Sequence, residues 1–408
     1  MKVYTCTPVR FKGDYTFFAR ESGLFSVGLT EIGVESRPIM PGPPMDDDDP
    51  RLIRTEYKNL ESADWWRSMN LDGLILYSWA APRYNAIAEA VKAAGIPLLV
   101  NMDTCGLVSP LASPGDWWRE AHVRYLREPQ GAGGKLKEIA KELLELLFHP
   151  VAKRRLKHYE AATVVAAVTP HGARWIPNEA IALGRPDLAS RFRYLPHPQL
   201  PIFHYDGTPK ERLVLTVGRW HKSDWPQKHP GLLLDAYHSF LTARPDWNGL
   251  VVGGGAPDLC KLLNQDPDRF GGRLSFIDYV KPEQLPELYR RARIGFWTSR
   301  WEGQQGTGAQ ALCCGCSVVS ASTAQNSCFK HYVTRESGRL ATRNKADALA
   351  DELVLEANSW EAGERDPERI SRVWYPEFNA NSVARNAMRF LNLKIPLPDR
   401  EFQSSISQ

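Results

Sequence analysis

Short apolar runs alternate with helical patterns along almost the whole chain, which is how parallel α/β proteins are written. In the first half, residues 2–5, 73–77, 97–101, 163–168 and 192–195 read as strands. Residues 84–94 read as a helix that Gly95 stops. The stretch 38–51 carries PGPP and then DDDD, and is expected to be an exposed loop throughout. The second half is more regular. Residues 213–217, 249–252, 274–277, 294–298 and 317–320 read as strands, the last closing the series. Between them, Leu233, Ala236, Tyr237, Phe240 and Leu241 share one helical face, and Leu285, Leu288, Tyr289 and Ala292 share another. A short helix ends at Gly315. The pattern predicts a doubly wound sheet.

Length turns one such sheet into two. A chain of 408 residues is too long for one ordinary core, and 43% hydrophobic with 24% charged residues suits a globular protein. A net charge of +4 is small for this length and argues against a dedicated nucleic-acid binder. The start, MKVYTCTPVRF, lacks the apolar core of a signal peptide, and no run of about 18 apolar residues occurs. A cytoplasmic location is therefore expected. Of the seven cysteines, Cys313, Cys314 and Cys316 cluster without metal-ligand spacing, so small buried hydrophobes are expected and no metal site.

In open α/β sheets, ligands bind beyond the carboxyl ends of the strands. That rule selects three second-half loops: Gly218-Arg219, Gly253-Gly254-Gly255, and the segment from Arg300 to Gln310. In the last, Gly303, Gln304, Gln305, Gly306 and Thr307 join a strand to a helix, where bare amides and a helix start favour an oxyanion. Glu302 stands ready to accept from sugar hydroxyls, and Gln310 is expected about two turns into the helix. A tight turn in any doubly wound protein has the same pattern. Arg219 with Lys222 or Lys228 would neutralise a diphosphate, although solvated surface charge explains these cations equally well. The triple glycine lacks dinucleotide-fingerprint spacing, which disfavours a nicotinamide oxidoreductase.

The segments VLTVGRW…QKHPGLLLDAY, LVVGGGAP, LSFIDYVKPEQLPELYRRARIGFWTSRWEG and GAQALCCGCSVVSA come in a telling order. Over roughly residues 212–340 they resemble the donor-binding half of retaining glycosyltransferases of the GT-B fold. This is the group 1, family 4 type that includes sucrose-phosphate synthases and bacterial mannosyltransferases; the first half resembles it much less. The resemblance implies two facing Rossmann-like doubly wound domains, a nucleotide-diphosphate sugar as co-substrate, and neither metal nor cofactor. It places the N-terminal domain at 1–205, the nucleotide-sugar domain at 206–375, and a C-terminal helical segment, 376–408, back on the first domain.

Position by position, the resemblance makes Gly218 and Arg219 the phosphate-binding strand end, and Lys228 a better match for the family's lysine than Lys222. Glu302 matches the glutamate at the transferred sugar, and Gly303 to Thr307 the loop around sugar and diphosphate. Gly253 and Gly255 line the donor, and Tyr279 approaches the base or simply packs. Two departures stand out. Gln310 replaces the family's second glutamate, and an amide accepts from ribose hydroxyls with less charge assistance. Met102-Asp103 stands where the family often has a histidine, which leaves Asp103 as the acceptor-side candidate; Gly13, in the loop after the first strand, suits donor phosphate, acceptor or a plain turn equally. The implied reaction retains anomeric configuration. A catalytically degenerate partner subunit and a nucleotide-sugar epimerase are the rival readings.

The acceptor is expected to be a sugar, a small molecule or a lipid-linked group. Leu136, Ile139, Ala140, Leu143 and Leu147 form an apolar helical stripe within a stretch from Lys135 to His158 holding seven Lys/Arg and three Glu. Such a stripe suits peripheral contact with the inner membrane face, but more commonly packs on its own domain, as expected here. Trp65, Trp66, Trp79, Trp117 and Trp118 suit either sugar stacking or the core, with the core the commoner fate.

Overall fold

The computed structural model describes residues 1–103, 109–119, 132–322 and 327–395. The chain forms two compact units. The first takes Met1–Asp103, Leu144–Pro201 and the chain from Phe378; the second takes Ile202–Glu377 together with the stretch up to Leu143.

The first unit holds β1 (Val3–Cys6), β2 (Pro38–Pro41), β3 (Ile53–Thr55), β4 (Gly73–Leu76), β5 (Leu98–Met102), β6 (Val164–Ala167) and β7 (Phe192–Tyr194). They form one parallel sheet in the order β3-β2-β1-β4-β5-β6-β7. Successive side chains on a strand point to opposite faces, so each face of this sheet has its own core. Tyr4, Cys6, Leu74, Leu76, Leu98 and Val100 bury one face with Ile87 and Val91 of α2 (Asn85–Ala93), which follows α1 (Glu21–Glu31) in the chain. Val3, Ile75, Leu99 and Ala166 bury the other with Phe25 and Leu29 of α1.

The segment expected to be irregular from 38 to 51 is corrected at its start. Pro38–Pro41 is a fully buried inner strand. Its prolines stand at the two ends, where the ladder asks for fewest donors, and Thr7 N–H reaches the Ile39 carbonyl at 3.0 Å. The acidic run itself remains loop, with Asp48 held by the Arg54 guanidinium and Asp49 by Arg51.

The apolar stripe is a second correction. α3 (Ala132–Phe148) turns through His149, at φ +53°, into α4 (Pro150–Ala161). Ile139, Leu143 and Leu147 are exposed rather than packed on their own domain. The Glu145 carboxylate fixes the corner by accepting from the Val151 and Ala152 amides at 2.8 and 3.0 Å.

The second unit holds β8 (Glu211–Val217), β9 (Asn248–Val252), β10 (Leu274–Ile277), β11 (Ala292–Phe296), β12 (Ser317–Ala321) and β13 (Gly338–Ala341), all parallel, in the order β10-β9-β8-β11-β12-β13. β13 extends the series beyond 317–320, where it was expected to close. From α5 (Pro230–Ala243), Leu233, Ala236, Tyr237 and Phe240 are fully buried, as the helical periodicity predicts. The Tyr237 hydroxyl bonds Thr216 Oγ1 at 2.8 Å, and Thr216 Oγ1 donates to the Phe296 carbonyl at 2.9 Å, tying α5, β8 and β11 together. α6 (Gly306–Cys313), α7 (Ala346–Glu361) and α8 (Pro367–Phe378) follow. α9 (Ala380–Phe390) then closes the first unit, inserting Val383, Ala384, Ala387 and Met388 beside Phe25 and Leu29. Among the described residues, no helix is long and apolar enough to cross a membrane. The cysteines described, Cys313, Cys314 and Cys316 among them, are buried free thiols.

Candidate functional site

Each strand order reverses direction at one point, between β1 and β4 in the first unit and between β8 and β11 in the second. Such reversals open a crevice at the carboxyl ends of the two strands. In the second unit, Gly218 and Arg219 leave β8 there, and the chain leaving β11 reaches Glu302 within six residues.

Glu302 is almost wholly buried. Its Oε1 accepts from Lys228 Nζ at 2.5 Å, with side chains only 9% (Lys228) and 7% (Glu302) exposed. Its Oε2 accepts from Gln227 Nε2 at 3.2 Å, and the same amide holds the Trp301 carbonyl at 2.9 Å. Lys228 ends the short helix Trp225–Lys228. Arg300 locks that helix to the loop, its N–H donating to the Gln227 carbonyl and its Nη1 to that of Pro226, each at 2.8 Å. Of the two lysines left open by the sequence, Lys228 meets Glu302, and Lys222 lies exposed in a separate turn. Gln227 was not foreseen, and its one sequence signal is adjacency to Lys228.

Arg219 keeps its head in solvent. Its side chain is 68% exposed, and among the described residues its ion-pair partner is Asp224 at 3.3 Å. The glycines nearby are needed for close approach of backbone. A Cβ on Gly253, at φ +126°, would lie 1.8 Å from the Gly218 carbonyl oxygen. Trp220 N–H donates to the Gly254 carbonyl at 2.9 Å, and the Gly255 amide gives its hydrogen to Asp278 Oδ1 at 3.1 Å. The turn after β9 is thus folded onto the end of β8.

The remaining loop residues lie at the start of α6. Gly303 and Gln305 are buried, Gln304 and Gly306 partly so, and Thr307 Oγ1 donates to the Val217 carbonyl at 3.2 Å. The Gln305 Nε2 group is buried with no hydrogen-bond partner among the described residues, while the Gln305 backbone carbonyl accepts from the Tyr332 hydroxyl at 3.2 Å. Gln310 stands one turn into α6 instead of two, because the helix begins only at Gly306. Its Oε1 accepts from the Tyr289 hydroxyl at 3.3 Å. Tyr279 follows β10 and is 60% exposed.

The first unit presents its own cluster at the corresponding strand ends. Asp103 follows β5, and its Oδ2 lies 3.1 Å from His197 Nε2, which stacks on Tyr77 at 5.8 Å. Burial, with the Glu21 and Asp103 carboxylates nearby, pushes the Tyr77 phenol well above its usual pKa. Trp79 and Ala80, beyond β4, both have positive φ, a local strain of the kind that marks functional loops. His197 was not among the residues the sequence singled out; its place just after β7 is the signal that could have found it. Gly13 is close-packed by the acidic loop: an added Cβ would meet Leu52 Cδ2 at 2.2 Å and Asp48 Oδ1 at 2.4 Å. Among the tryptophans, Trp66 and Trp117 are core, Trp65 and Trp79 half-buried, and Trp118 exposed.

Residues 211–355 match the family model described as Glycosyl transferases group 1. No curated protein sequence matches the chain. Solved structures match nearly its whole length at low identity. HepE of Anabaena, solved in complex with UDP-glucose, is 14% identical with a TM-score of 0.59, covering 96% of this chain and 99% of its own. A sucrose-phosphate synthase from Thermosynechococcus elongatus is 14% identical with a TM-score of 0.60, covering 99% and 100%. A putative UDP-N-acetylglucosamine 2-epimerase from Listeria monocytogenes is 12% identical with a TM-score of 0.54, covering 97% and 98%. The shared property is the fold: two parallel α/β units of GT-B type.

Proposed function

We propose that this protein is a group 1 glycosyltransferase of GT-B type that takes a sugar from a nucleotide-diphosphate donor bound in the second unit. The observation that carries the reading is the buried Lys228–Glu302 pair, braced by Gln227, at the switch point between β8 and β11. Burying a charge pair in the mouth of a sheet is costly for stability and is understandable where a polar ligand must be held. The pair lies inside the stretch that matches the family model.

In this reading Arg219 and Lys228 face the diphosphate, and Glu302 accepts from hydroxyls of the transferred sugar. Gly303 to Thr307 and the start of α6 supply amides to phosphate and sugar oxygens. The reaction retains configuration. The bond from the anomeric carbon to the phosphate oxygen breaks, and the acceptor oxygen bonds to that carbon on the same face. The acceptor's proton passes to the departing phosphate oxygen. Each cation lowers the barrier by about 2–4 kcal/mol by stabilising the leaving diphosphate. No metal or cofactor takes part, the protein works in the cytoplasm, and the acceptor is a sugar, a small molecule or a lipid-linked group.

A thermal-shift panel of UDP-, GDP-, TDP- and ADP-sugars tests this, because a ligand that binds only the folded state raises the melting temperature. One nucleotide class is expected to stand out. Arg219→Ala and Glu302→Ala should each remove its shift while leaving a folded protein. Unchanged shifts in both variants would end the assignment. One observation favours a second reading, a degenerate binding subunit: the Gln310 oxygen already accepts from Tyr289, which leaves ribose recognition weaker. Slow release of free nucleotide diphosphate from the cognate donor separates an enzyme from that subunit. Interconversion of UDP-N-acetylglucosamine without acceptor would instead mark an epimerase.

A further inference from the structure

The α3–α4 corner carries the densest run of exposed apolar side chains among the described residues. Leu144, Leu146, Leu147, Phe148 and Val151 lie within eight positions, with Leu147 66% and Phe148 60% exposed. A folded monomer rarely leaves such a patch bare without a partner. The flanking charge identifies the kind of partner. α4 buries Ala152 and Tyr159 on its inner side, and turns Lys153, Arg154 and Lys157 outward. Lys153 and Arg154 form no ion pair among the described residues, whereas Lys157 lies 3.3 Å from Glu89. Glu145, the acidic residue nearest the corner, is spent on the α4 amides.

We propose that this corner docks the protein on an anionic lipid bilayer, with Leu147 and Phe148 entering the headgroup boundary and Lys153 and Arg154 over the phosphates. Apolar area and cationic charge on one exposed corner are the two contributions that interfacial helices combine. A second copy of this chain fits less well, since two such corners would bring like charges together. The docking is a property of the first unit and stands whether or not the second unit binds a nucleotide sugar.

Vesicle flotation with the full chain tests it. The wild type is expected to float with vesicles containing about one third phosphatidylglycerol and to stay behind with pure phosphatidylcholine. The exposed pair Leu147→Glu/Phe148→Glu should lower binding about tenfold, and Lys153→Glu/Arg154→Glu should abolish the preference for anionic vesicles. Both variants should keep the wild-type melting temperature, since the replaced side chains lie mostly in solvent. Absence of binding to anionic vesicles, equal binding to both compositions, or wild-type binding by both variants would overturn the proposal. So would light scattering that finds a dimer which Leu147→Glu/Phe148→Glu dissociates.

Discussion

At the scale of single residues, Lys228 and Glu302 depend on each other. Removing one partner of a buried pair leaves an uncompensated charge, whereas removing both leaves none. Lys228→Met is therefore expected to cost about 3–5 kcal/mol in urea unfolding, and Lys228→Met/Glu302→Leu to recover most of it. Neither variant should show a donor thermal shift. Recovery of stability without recovery of binding would mark the pair as held for ligand rather than for fold. The residue types here were legible in the sequence, since a glutamate and a lysine at strand ends announce themselves. Their union was not, because 74 positions separate them and the choice between Lys222 and Lys228 is made by a four-residue helix. His229 illustrates the same limit. It holds φ +53° between two helices, a conformation unusual for a residue with a side chain, and nothing in QKHPG declares it.

At the scale of elements, α4 ties its unit to the solution pH. His158 is buried near its end, with Nδ1 2.5 Å from Asn85 Oδ1. Burial, with Arg155 nearby, lowers its pKa from 6.5 to about 4. The folded state thus keeps the ring neutral where the unfolded chain would already take a proton. Its contribution is whole above about pH 6.5 and declines as the pH falls toward 4, by at most about 3 kcal/mol. His158→Gln should flatten that part of the stability profile measured by chemical denaturation between pH 7 and 4; an unchanged slope would assign it to other groups.

Elements with a clear period were legible. β8, β9 and α5 have apolar residues at spacings that only one structure satisfies, and both faces of β1, β4 and β5 are core. β2 and β13 were not, for different reasons. Pro38–Pro41 hides a strand behind two prolines placed where no donor is needed, and Gly338–Ala341 is four residues without alternating burial. The α3 stripe misled in another way. Its period is real, but periodicity reports which residues share a face and not what that face meets.

At the scale of the molecule, two units with separate sheets predict separate responses to ligand. Calorimetry should resolve two transitions, and the cognate nucleotide sugar should raise the one belonging to the second unit by mass action. Lowering the pH should depress the other, which contains His158. A single transition moved equally by both treatments would show that the units unfold together. That the candidate site stands at a switch point was legible at this scale from strand alternation alone, because topology points to a crevice before any side chain is considered.

The chain leaves the first unit and comes back to it with α9. Ala380 lies so close to Gly28 that a Cβ there would come within 2.4 Å of its carbonyl oxygen, and Met388 fills space beside Phe25. During synthesis, therefore, the first unit waits for α9. One apolar wall of its sheet stays open until residue 390 has been made, whereas Ile202–Glu377 is complete sooner. Until then Phe25 and Leu29 of α1 lack the cover of α9, and this is the apolar surface a ribosome-associated chaperone would meet.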